Sequence, residues 1–383
     1  MIYRIIKVYL FNLQSNLITN MLLKSLAFTL SLILVVILSI SFPDIFISIG
    51  NFNTKALIIP LLQIIMFGMG SQMSLSDFAG VVKNPKAVCI GIICQFSMMP
   101  IIALVLTSLF GFSNEIAAGI ILVGASPSGL ASNVMSYLAK ANVALSVTLT
   151  AFATLLAPLM TPFIMQLLAG QYVPIDFIKM MIGIFDIVIL PIIAGLVFNQ
   201  FAFGKRWTGS KSMVQLFSYL LVIGIKALLT GQAYLSVFLT GAAWFFILPV
   251  VLGILFKLLS PTKDQLNKGL STVSMVGIVI IIGIITASGR DHLVEIGMLL
   301  VLACLLHNVL GYTLGYLLCK ALKLDKKSCR TIALEVGMQN SGMASGIALQ
   351  MGKLATIGLA SSIFGPLMNT TGSILASYWR KKE

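Results

Sequence analysis

The sequence predicts an all-α membrane protein with about 12 spanning helices, two of which are interrupted near their centres. Only 9% of its 383 residues are charged and 58% are hydrophobic, whereas a soluble domain carries about 25% charged residues. Apolar runs of about 20 residues, long enough to cross a bilayer, recur along the whole chain. Two of these runs contain a related polar motif, because Ser128–Ser132 (SGLAS) is echoed by Ser341–Ser345 (SGMAS).

The predicted spans follow the apolar runs in order. A lead of residues 1–24 comes first, and its mixture of apolar and basic residues predicts a cytoplasmic or interfacial segment. The spans are then placed near residues 25–43, 55–72, 87–110, 116–138, 142–169, 177–201, 214–232, 235–257, 269–287, 295–319, 329–351 and 355–378.

The positions of the basic residues predict the surroundings and the orientation of the chain. The net charge is +14, from 25 Lys and Arg against 11 Asp and Glu. Most of these basic residues lie in alternate loops rather than on one face with aromatic side chains, so the expected partner is the lipid bilayer and no nucleic acid. Because cytoplasmic loops carry the excess of Lys and Arg, both termini are predicted to be cytoplasmic, in a cell (inner) membrane.

The repeated motif predicts how the spans are arranged. Its first copy lies in the fourth span and its second in the eleventh, so the two copies cross the membrane in opposite senses. Such an inverted repeat, with interrupted helices in corresponding positions, is typical of secondary transporters whose binding site lies at the interruptions. The predicted units are a first repeat at 25–201, a helical hairpin at 202–260 and a second repeat at 261–383.

Glu335 is the most informative residue near the second interruption. A carboxylate inside a membrane span costs several kcal/mol unless it is paired, so it marks a candidate functional site. Arg330 is expected to lie at the loop edge, so a bound cation is the expected partner instead. Ser146 and Thr150, four residues apart, place two hydroxyls on one helix face, and Gln95 is a buried amide that needs a partner. Carboxylate, amide and hydroxyl oxygens of this kind suit a hard cation.

Two runs around these polar residues resemble a known family. The run from Ser126 to Thr150 resembles the fourth and fifth helices of the bile acid:sodium symporter family, and the run from Glu335 to Ala344 resembles the signature in its ninth helix. A weaker likeness covers most of the chain. The resemblance implies an inverted-repeat transporter with a core domain, built from two crossing discontinuous helices and their neighbours, and a panel domain, with an organic anion bound between them.

The resemblance also implies which residues bind two Na⁺ coupling ions, with no other cofactor. The side chains of the first sodium site would be those of Ser132, Asn133, Ser146, Thr150 and Glu335. The second site would use the side chains of Gln95, Glu335 and Gln339 and the backbone carbonyls of Val336 and Met338. The residues implied to lie at the substrate are Ser128, Leu130, Asn340, Met368 and Asn369.

The chain departs from the family pattern in two respects. Relatives have about ten spans, so the hairpin at 202–260 is interpreted as an insertion of two helices. Leu130 stands where several relatives have a hydroxyl residue, and Met368 stands where some have His, both near the expected substrate. The sequence therefore leaves the substrate open, from bile-acid-like amphipaths to pantoate-like hydroxy acids, and it also leaves the oligomeric state open.

The predicted function is a sodium-coupled symporter that imports a small or amphipathic monocarboxylate by alternating access. Two alternatives remain open from the residues: a sodium/proton antiporter-like exchanger and a sodium-independent facilitator for organic anions. An enzyme is not expected, because the chain has only 2 His and no arrangement of a nucleophile beside a base.

Overall fold

The computed structural model describes residues 27–28, 30–73, 80, 84–203, 247–259 and 262–382, and these residues are mostly helical. The helices in chain order are α1 Leu30–Ser41, α2 Pro43–Ile47, α3 Ile58–Gln72, α4 Pro85–Phe110, α5 Asn114–Ala125, α6 Ala131–Leu138, α7 Val143–Ala169, α8 Phe177–Phe203, α9 Leu248–Leu258, α10 Lys263–Ser288, α11 Arg290–Ala321, α12 Lys326–Gly337, α13 Ser341–Gln350 and α14 Ile357–Lys381. A short antiparallel hairpin, β1 Ser48–Ile49 with β2 Phe52–Asn53, and a 3₁₀ turn at Thr54–Leu57 lead into α3.

The prediction of a helical membrane protein is confirmed. Within the described ranges, six helices are long and apolar enough to cross a membrane, namely α3 with its leading turn, α4, α7, α8, α10 and α11. The predicted spans at 116–138 and 329–351 are each divided into two shorter helices, α5 with α6 and α12 with α13. These divisions lie at the Gly- and Ser-rich motifs.

The total of 12 spans stays a prediction. The lead at 1–24 and the span at 214–232 lie outside the described residues. Of the predicted hairpin at 202–260, only residues 202–203 and 247–259 are described.

The ends of several helices follow from local sequence. The Asp325 carboxylate accepts hydrogen bonds from the backbone N–H groups of Lys327 and Ser328, both at 3.0 Å, and thereby caps α12. Thr262 and Gln265 form a capping box at the start of α10. Such caps satisfy backbone N–H groups that a helix leaves unpaired at its start, so they fix where these helices begin.

The described helices pack in two groups. In the first group α3 packs against α8 and α10, and α8 packs against α9. In the second group α4 packs against α5, α7 and α11, while α14 packs against α5, α11 and α13. The second group surrounds α12, in which every residue from Ser328 to Gly337 is buried. The interruptions therefore lie in the interior of the protein.

Helices α3 and α8 approach each other closely at two glycines. A β-carbon on Gly70 would collide with the backbone carbonyl of Ile192, and one on Gly195 would collide with backbone atoms of Phe67 and Ser71. Small residues permit this close approach, which is a common basis of helix packing in membranes. The α3–α8 contact thus depends on one glycine from each helix.

Gly195→Ala is expected to destabilise the protein by about 1–3 kcal/mol, because the added methyl group overpacks a contact with backbone atoms that cannot turn away. Gly269→Ala is the matched control, since a β-carbon at this position of α10 meets nothing within 4 Å. The control should keep or raise stability, because Ala is the better helix former. Thermal unfolding of both variants in detergent measures the difference, and equal melting temperatures would contradict the close approach.

Candidate functional site

Each divided helix is interrupted by a short extended segment. The first break, residues 126–130, lies between α5 and α6, and the second break, residues 338–340, lies between α12 and α13. Pro127 supplies no backbone N–H with which α5 could continue. Asn340 caps α13, because its side chain accepts a hydrogen bond from Met343 N at 3.0 Å. The local sequence therefore ends one helix and starts the next within a few residues.

The two breaks pair with each other through their backbones. Gly129 N donates to Met338 O at 2.9 Å, and Asn340 N donates to Pro127 O at 2.7 Å. These bonds satisfy backbone groups that would cost several kcal/mol each if they were left unpaired inside a membrane. The two interrupted helices therefore cross at this point, which is called the crossing below.

The Glu335 carboxylate lies beside the crossing and is only 2% exposed. Its Oε1 accepts hydrogen bonds from Ser132 Oγ at 2.6 Å and from Ser146 Oγ, and its Oε2 accepts one from Thr150 Oγ1 at 2.9 Å. Ser132 lies on α6, whereas Ser146 and Thr150 lie one turn apart on α7. Three helices thus bring together four of the residues predicted for the first sodium site.

Asn133 completes this cluster, which contains more acceptor positions than protons. Asn133 Oδ1 lies 2.8 Å from Ser146 Oγ and 3.2 Å from Thr150 Oγ1. In addition, Ser132 Oγ lies 2.7 Å from Gly129 O, and Thr150 Oγ1 lies 3.1 Å from Ser146 O. Each hydroxyl has one proton to donate, yet each lies within hydrogen-bond distance of at least two acceptor oxygens. Some oxygen atoms therefore face each other without a proton between them, as the ligands of a hard cation do.

The residues predicted for the second sodium site form a separate buried cluster. Gln95 on α4 donates Nε2 to Gln339 Oε1 at 2.7 Å and to Ser126 O at 2.9 Å. Gln339 in turn donates Nε2 to Val336 O at 2.6 Å. The Gln95 Oε1 atom is buried and has no hydrogen-bond partner among the described residues. A buried acceptor without a donor requires an explanation, and a bound cation is one.

The backbone carbonyls predicted for this second site are both engaged in hydrogen bonds. Val336 O accepts from Gln339 Nε2, and Met338 O accepts from Gly129 N. Each carbonyl has a second lone pair, so both can still coordinate an ion. In the described part of the chain, Glu335 makes no hydrogen bond to Gln95 or Gln339, so the two clusters share the second break but are not hydrogen-bonded to each other through these side chains.

The residues predicted to contact substrate lie partly at the crossing and partly on α14. Ser128 and Asn340 are buried in the paired breaks, and Leu130 is half-buried at the end of the first break. Met368 is buried on α14, and the adjacent Asn369 is half-buried with its Nδ2 bonded to a carbonyl of its own helix at 2.9 Å. The backbone pairing of the breaks sets Ser128 opposite Gln339, the residue before Asn340, and α14 packs on α6 and α13, which adjoin the breaks.

Arg330 lies in the first part of α12, near the loop edge as expected, but its side chain is buried. Arg330 is only 1% exposed, and its Nη1 donates to Ala139 O at 3.3 Å. Its guanidinium lies 5.8 Å from the ring centre of Trp379, so the end of α14 covers it. Arg330 nevertheless does not neutralise the predicted site, because within the described residues the Glu335 carboxylate forms no ion pair.

The buried polar network that links α11 to α12 and α14 beside the second break was not predicted from the sequence. Asn308 on α11 donates Nδ2 to Gly337 O at 2.7 Å and accepts a hydrogen bond from Thr371 Oγ1 at 2.5 Å. Tyr312 on the same helix donates its hydroxyl to Met368 O at 3.2 Å. The signal in the sequence was the amide of Asn308 within an apolar span, since an intramembrane polar group needs a partner. The partners come from α12 and α14, and their identity depends on tertiary packing.

The helix ends around the crossing supply partial charges of both signs. Helices α6 and α13 begin at the breaks and direct the positive ends of their dipoles towards them, whereas α5 and α12 end there with their negative ends. Carbonyl groups at helix ends suit cations, and N–H groups at helix starts suit anions. This arrangement can hold a cation beside Glu335 and an anionic group nearby.

Known proteins of one transporter family are similar to this chain. A sequence profile described as the Sodium Bile acid symporter family matches residues 59–240. The chain is 35% identical to the sodium-dependent transporter YocS of Bacillus subtilis (strain 168), over 93% of this chain and 91% of that protein. It is 30% identical to the probable chloroplastic sodium/metabolite cotransporter BASS1 of Arabidopsis thaliana, over 84% of this chain and 66% of that protein.

A more distant relative is the ileal sodium/bile acid cotransporter of Homo sapiens, which is 25% identical over 75% of this chain and 67% of that protein. The chain thus spans about two thirds of the length of the plant and human proteins and most of the bacterial one. All three relatives are named as transporters, which confirms the expectation that the chain is not an enzyme.

Glu335→Gln is expected to abolish stabilisation by Na⁺ and to leave the protein at least as stable without Na⁺, because it removes a buried charge that lacks a counter-ion. Wild type should gain about 2.7 kcal/mol when Na⁺ is present at a hundred times its Kd. Thermal unfolding in NaCl and in KCl of equal ionic strength measures the response. Glu295→Gln is the matched control, since this carboxylate on α11 is exposed, and it should respond as wild type does. A wild-type response in Glu335→Gln would refute the assignment of the carboxylate.

Thr150→Val is expected to raise the Na⁺ concentration that gives half-maximal stabilisation by at least about tenfold, because the isosteric change deletes an oxygen between Glu335 and Asn133. Thr154→Val is the matched control on the same helix, since the Thr154 hydroxyl donates to Thr150 O of its own helix at 2.7 Å. Titration of the melting temperature with Na⁺ compares the two variants. If both variants behave alike, the Thr150 hydroxyl is not an ion ligand.

Proposed function

Because this chain belongs to the Sodium Bile acid symporter family of sodium-dependent transporters, we propose that it is a symporter that imports an organic anion together with Na⁺. It is a multi-pass membrane protein. The single observation that supports ion coupling is the Glu335 carboxylate, which is buried, has no ion pair with any residue that the structure describes, and is surrounded by hydroxyl and amide oxygens. A membrane protein retains such a group at a cost, and coupling to a cation accounts for that cost.

The proposal includes two Na⁺ sites at the crossing. The first takes oxygen ligands from the cluster around Glu335, whose hydroxyls cannot all donate to their neighbours at once. The second takes the unpartnered Gln95 Oε1, the Gln339 side chain, the carboxylate of Glu335 and the carbonyls of Val336 and Met338. Oxygen ligands of this kind suit a hard cation.

The charges at the crossing explain why the transported substrate would be an anion. Two Na⁺ ions bring +2 and Glu335 brings −1, which leaves +1 in a buried position. The N-terminal ends of α6 and α13 add positive partial charge. A monoanion would offset this excess, so ion binding favours substrate binding and the reverse holds by linkage.

The proposed architecture is an inverted repeat that works by alternating access. The repeats are residues 25–201 and 261–383, with a helical hairpin at 202–260 between them. The paired breaks support this arrangement, since they bring corresponding positions of the two repeats together. The helices around the crossing form the core domain, and α3, α8 and α10 belong to the panel domain, against which the core domain moves.

The proposed orientation places the basic end of the molecule in the cytoplasm, with both termini there, in a cell (inner) membrane. Lys86 Nζ at the start of α4 contacts Leu322 O after α11 at 3.0 Å. Arg330 at the start of α12 contacts both the Ala139 carbonyl and the ring of Trp379 near the C-terminus. These segments therefore lie at one end of the molecule, and the positive-inside rule assigns that end to the cytoplasm.

The proposed substrate is a monocarboxylate held by Ser128, Leu130, Asn340, Met368 and Asn369. The positive end of the α13 dipole favours a carboxylate at this place, and the half-buried Leu130 and the buried Met368 offer apolar contacts. Relatives named for bile acids and for metabolites support testing both amphipathic and small carboxylates.

Reconstituted protein is expected to accumulate a monocarboxylate only when an inward Na⁺ gradient is imposed. Each cycle should carry one net positive charge, since two Na⁺ accompany one monoanion, so a potential that is negative inside should increase uptake. Uptake of labelled cholate and pantoate into proteoliposomes, with the potential clamped by K⁺ and valinomycin, measures both effects. Glu335→Gln should abolish the uptake, and Glu295→Gln should retain it.

The same vesicles distinguish the alternative functions. A change in internal pH driven by Na⁺ without uptake of either anion would indicate an antiporter. Uptake that is equal in Na⁺ and in K⁺ would indicate a facilitator. Uptake that depends on Na⁺ but does not respond to the membrane potential would refute the stoichiometry of two Na⁺ to one anion.

A further inference from the structure

Asn308 contacts the backbone just before the second break, on the side that faces α11. It is fully buried on α11, and its Nδ2 donates a hydrogen bond to Gly337 O at 2.7 Å. Gly337 is the last residue of α12, and a carbonyl at a helix end has no partner within the helix. The Asn308 amide therefore satisfies a carbonyl that the interruption of the helix leaves unpaired.

The Gly337 carbonyl lies in the chain between those of Val336 and Met338, the two carbonyls proposed as Na⁺ ligands. Each of the three accepts a hydrogen bond from a different place: Val336 O from the Gln339 side chain, Gly337 O from Asn308 and Met338 O from the first break. Val336 and Gly337 both belong to α12, so their carbonyls point the same way along the helix axis, and the Gly337 carbonyl is part of the peptide that leads into Met338. A hydrogen bond that holds Gly337 O therefore also restrains the helix end that carries the other two carbonyls.

The space beside Gly337 is filled from α11 as well. A β-carbon on Gly337 would collide with the ring of Tyr312, so no other residue fits there. Asn308 and Tyr312 lie one turn apart on the same face of α11. Together they fix the position and the orientation of the last peptide of α12.

Asn308 and Tyr312 also form hydrogen bonds with α14. Asn308 Oδ1 accepts a hydrogen bond from Thr371 Oγ1 at 2.5 Å, and the Tyr312 hydroxyl donates to Met368 O at 3.2 Å. Met368 and the next residue, Asn369, are the two α14 positions proposed to contact the anion. One amide group thus joins the proposed ion ligands to the helix that carries proposed substrate contacts.

We propose that Asn308 is a positioning residue that couples the ion-binding break to α14. This inference rests on the proposed function. The carboxamide of Asn308 is planar, with its donor and acceptor in fixed relative directions, so a shift of Gly337 O on ion binding displaces Thr371 through it. Conversely, a shift of α14 changes the directions in which the Val336 and Met338 carbonyls point, and this changes the affinity of the protein for Na⁺.

The test is a change on α14 that touches no proposed ion ligand and yet alters Na⁺ affinity. Thr371→Val deletes the donor to Asn308 Oδ1, and Asn308→Ala deletes the link itself. Thr370→Val is the matched control, since the Thr370 hydroxyl donates to Pro366 O of its own helix at 3.0 Å. The measurement is the Na⁺ concentration that gives half-maximal thermal stabilisation of the full-length protein in detergent, with K⁺ replacing Na⁺ at constant ionic strength.

Asn308→Ala is expected to raise the half-saturating Na⁺ concentration about ten- to a hundredfold, the usual effect of losing a group that orients a metal ligand. Thr371→Val should raise it by a smaller factor and Thr370→Val not at all. In the Asn308→Ala background, Thr371→Val should have no further effect, because its influence passes through Asn308. A residue with only a structural role would lower the melting temperature without Na⁺ and leave the half-saturating concentration unchanged.

The possible outcomes separate this inference from the proposed function. If wild type responds to Na⁺ and Thr371→Val has the half-saturating concentration of wild type, the coupling through Asn308 is refuted and the ion site stands. If wild type itself shows no response specific to Na⁺, the ion site is wrong and this inference is refuted with it. If Asn308→Ala does not fold, the comparison of Thr371→Val with Thr370→Val tests the proposal, since each of these isosteric changes removes one hydroxyl.

Discussion

The arrangement of the helices around the crossing depends on a single buried carboxylate. Glu335 is buried and has no ion pair within the described residues, so its charge must be stabilised by hydrogen bonds or by a bound ion. The helices around it are arranged accordingly. Helix α12 ends two residues later and frees its carbonyls, α6 begins close by and contributes Ser132, and α7 presents hydroxyls one turn apart. The two breaks are the means by which backbone oxygens and N–H groups reach the same buried place.

The broken helices are also joined by side-chain contacts at the ends that lie away from the crossing. At one end Arg330 bonds to the Ala139 carbonyl, so the start of α12 is joined to the end of α6. At the other end Lys353 pairs with Glu115 at 2.5 Å, so the end of α13 is joined to the start of α5. The hydrogen bond from Lys353 holds the pKa of the Glu115 carboxyl below its usual value, so that group stays charged at neutral pH. With both ends and the centre joined, movement of one broken helix entails movement of the other.

The helices and the breaks were predictable because their signals are local. A run of about 20 apolar residues specifies a span, Pro127 specifies a helix end, and the spacing of Ser146 and Thr150 specifies a shared helix face. The burial of Arg330 could not be predicted in this way, because Trp379, which covers it, lies at the end of another helix. The partners of Asn308 were inaccessible for the same reason, since α11, α12 and α14 meet only through tertiary packing. The positions on α14 proposed to contact substrate came from family resemblance, and no local physical signal marks them.

The hydroxyls of the Glu335 cluster show how a cation can enter without leaving a buried donor unpaired. A hydroxyl that donates to the carboxylate presents its proton where a cation would bind, so it must rotate before its lone pairs can face the ion. Ser132 has Gly129 O at 2.7 Å as a second acceptor, and Thr150 has Ser146 O at 3.1 Å. Ser146 has Asn133 Oδ1 at 2.8 Å. Each hydroxyl proton therefore has a second acceptor within reach. When a hydroxyl turns from the carboxylate to that acceptor, its proton stays hydrogen-bonded, which avoids the cost of about 1–3 kcal/mol of an unsatisfied buried group. At so low a cost, the proposed Na⁺ site can exchange between a bound and an empty state, as a symporter of the proposed kind requires.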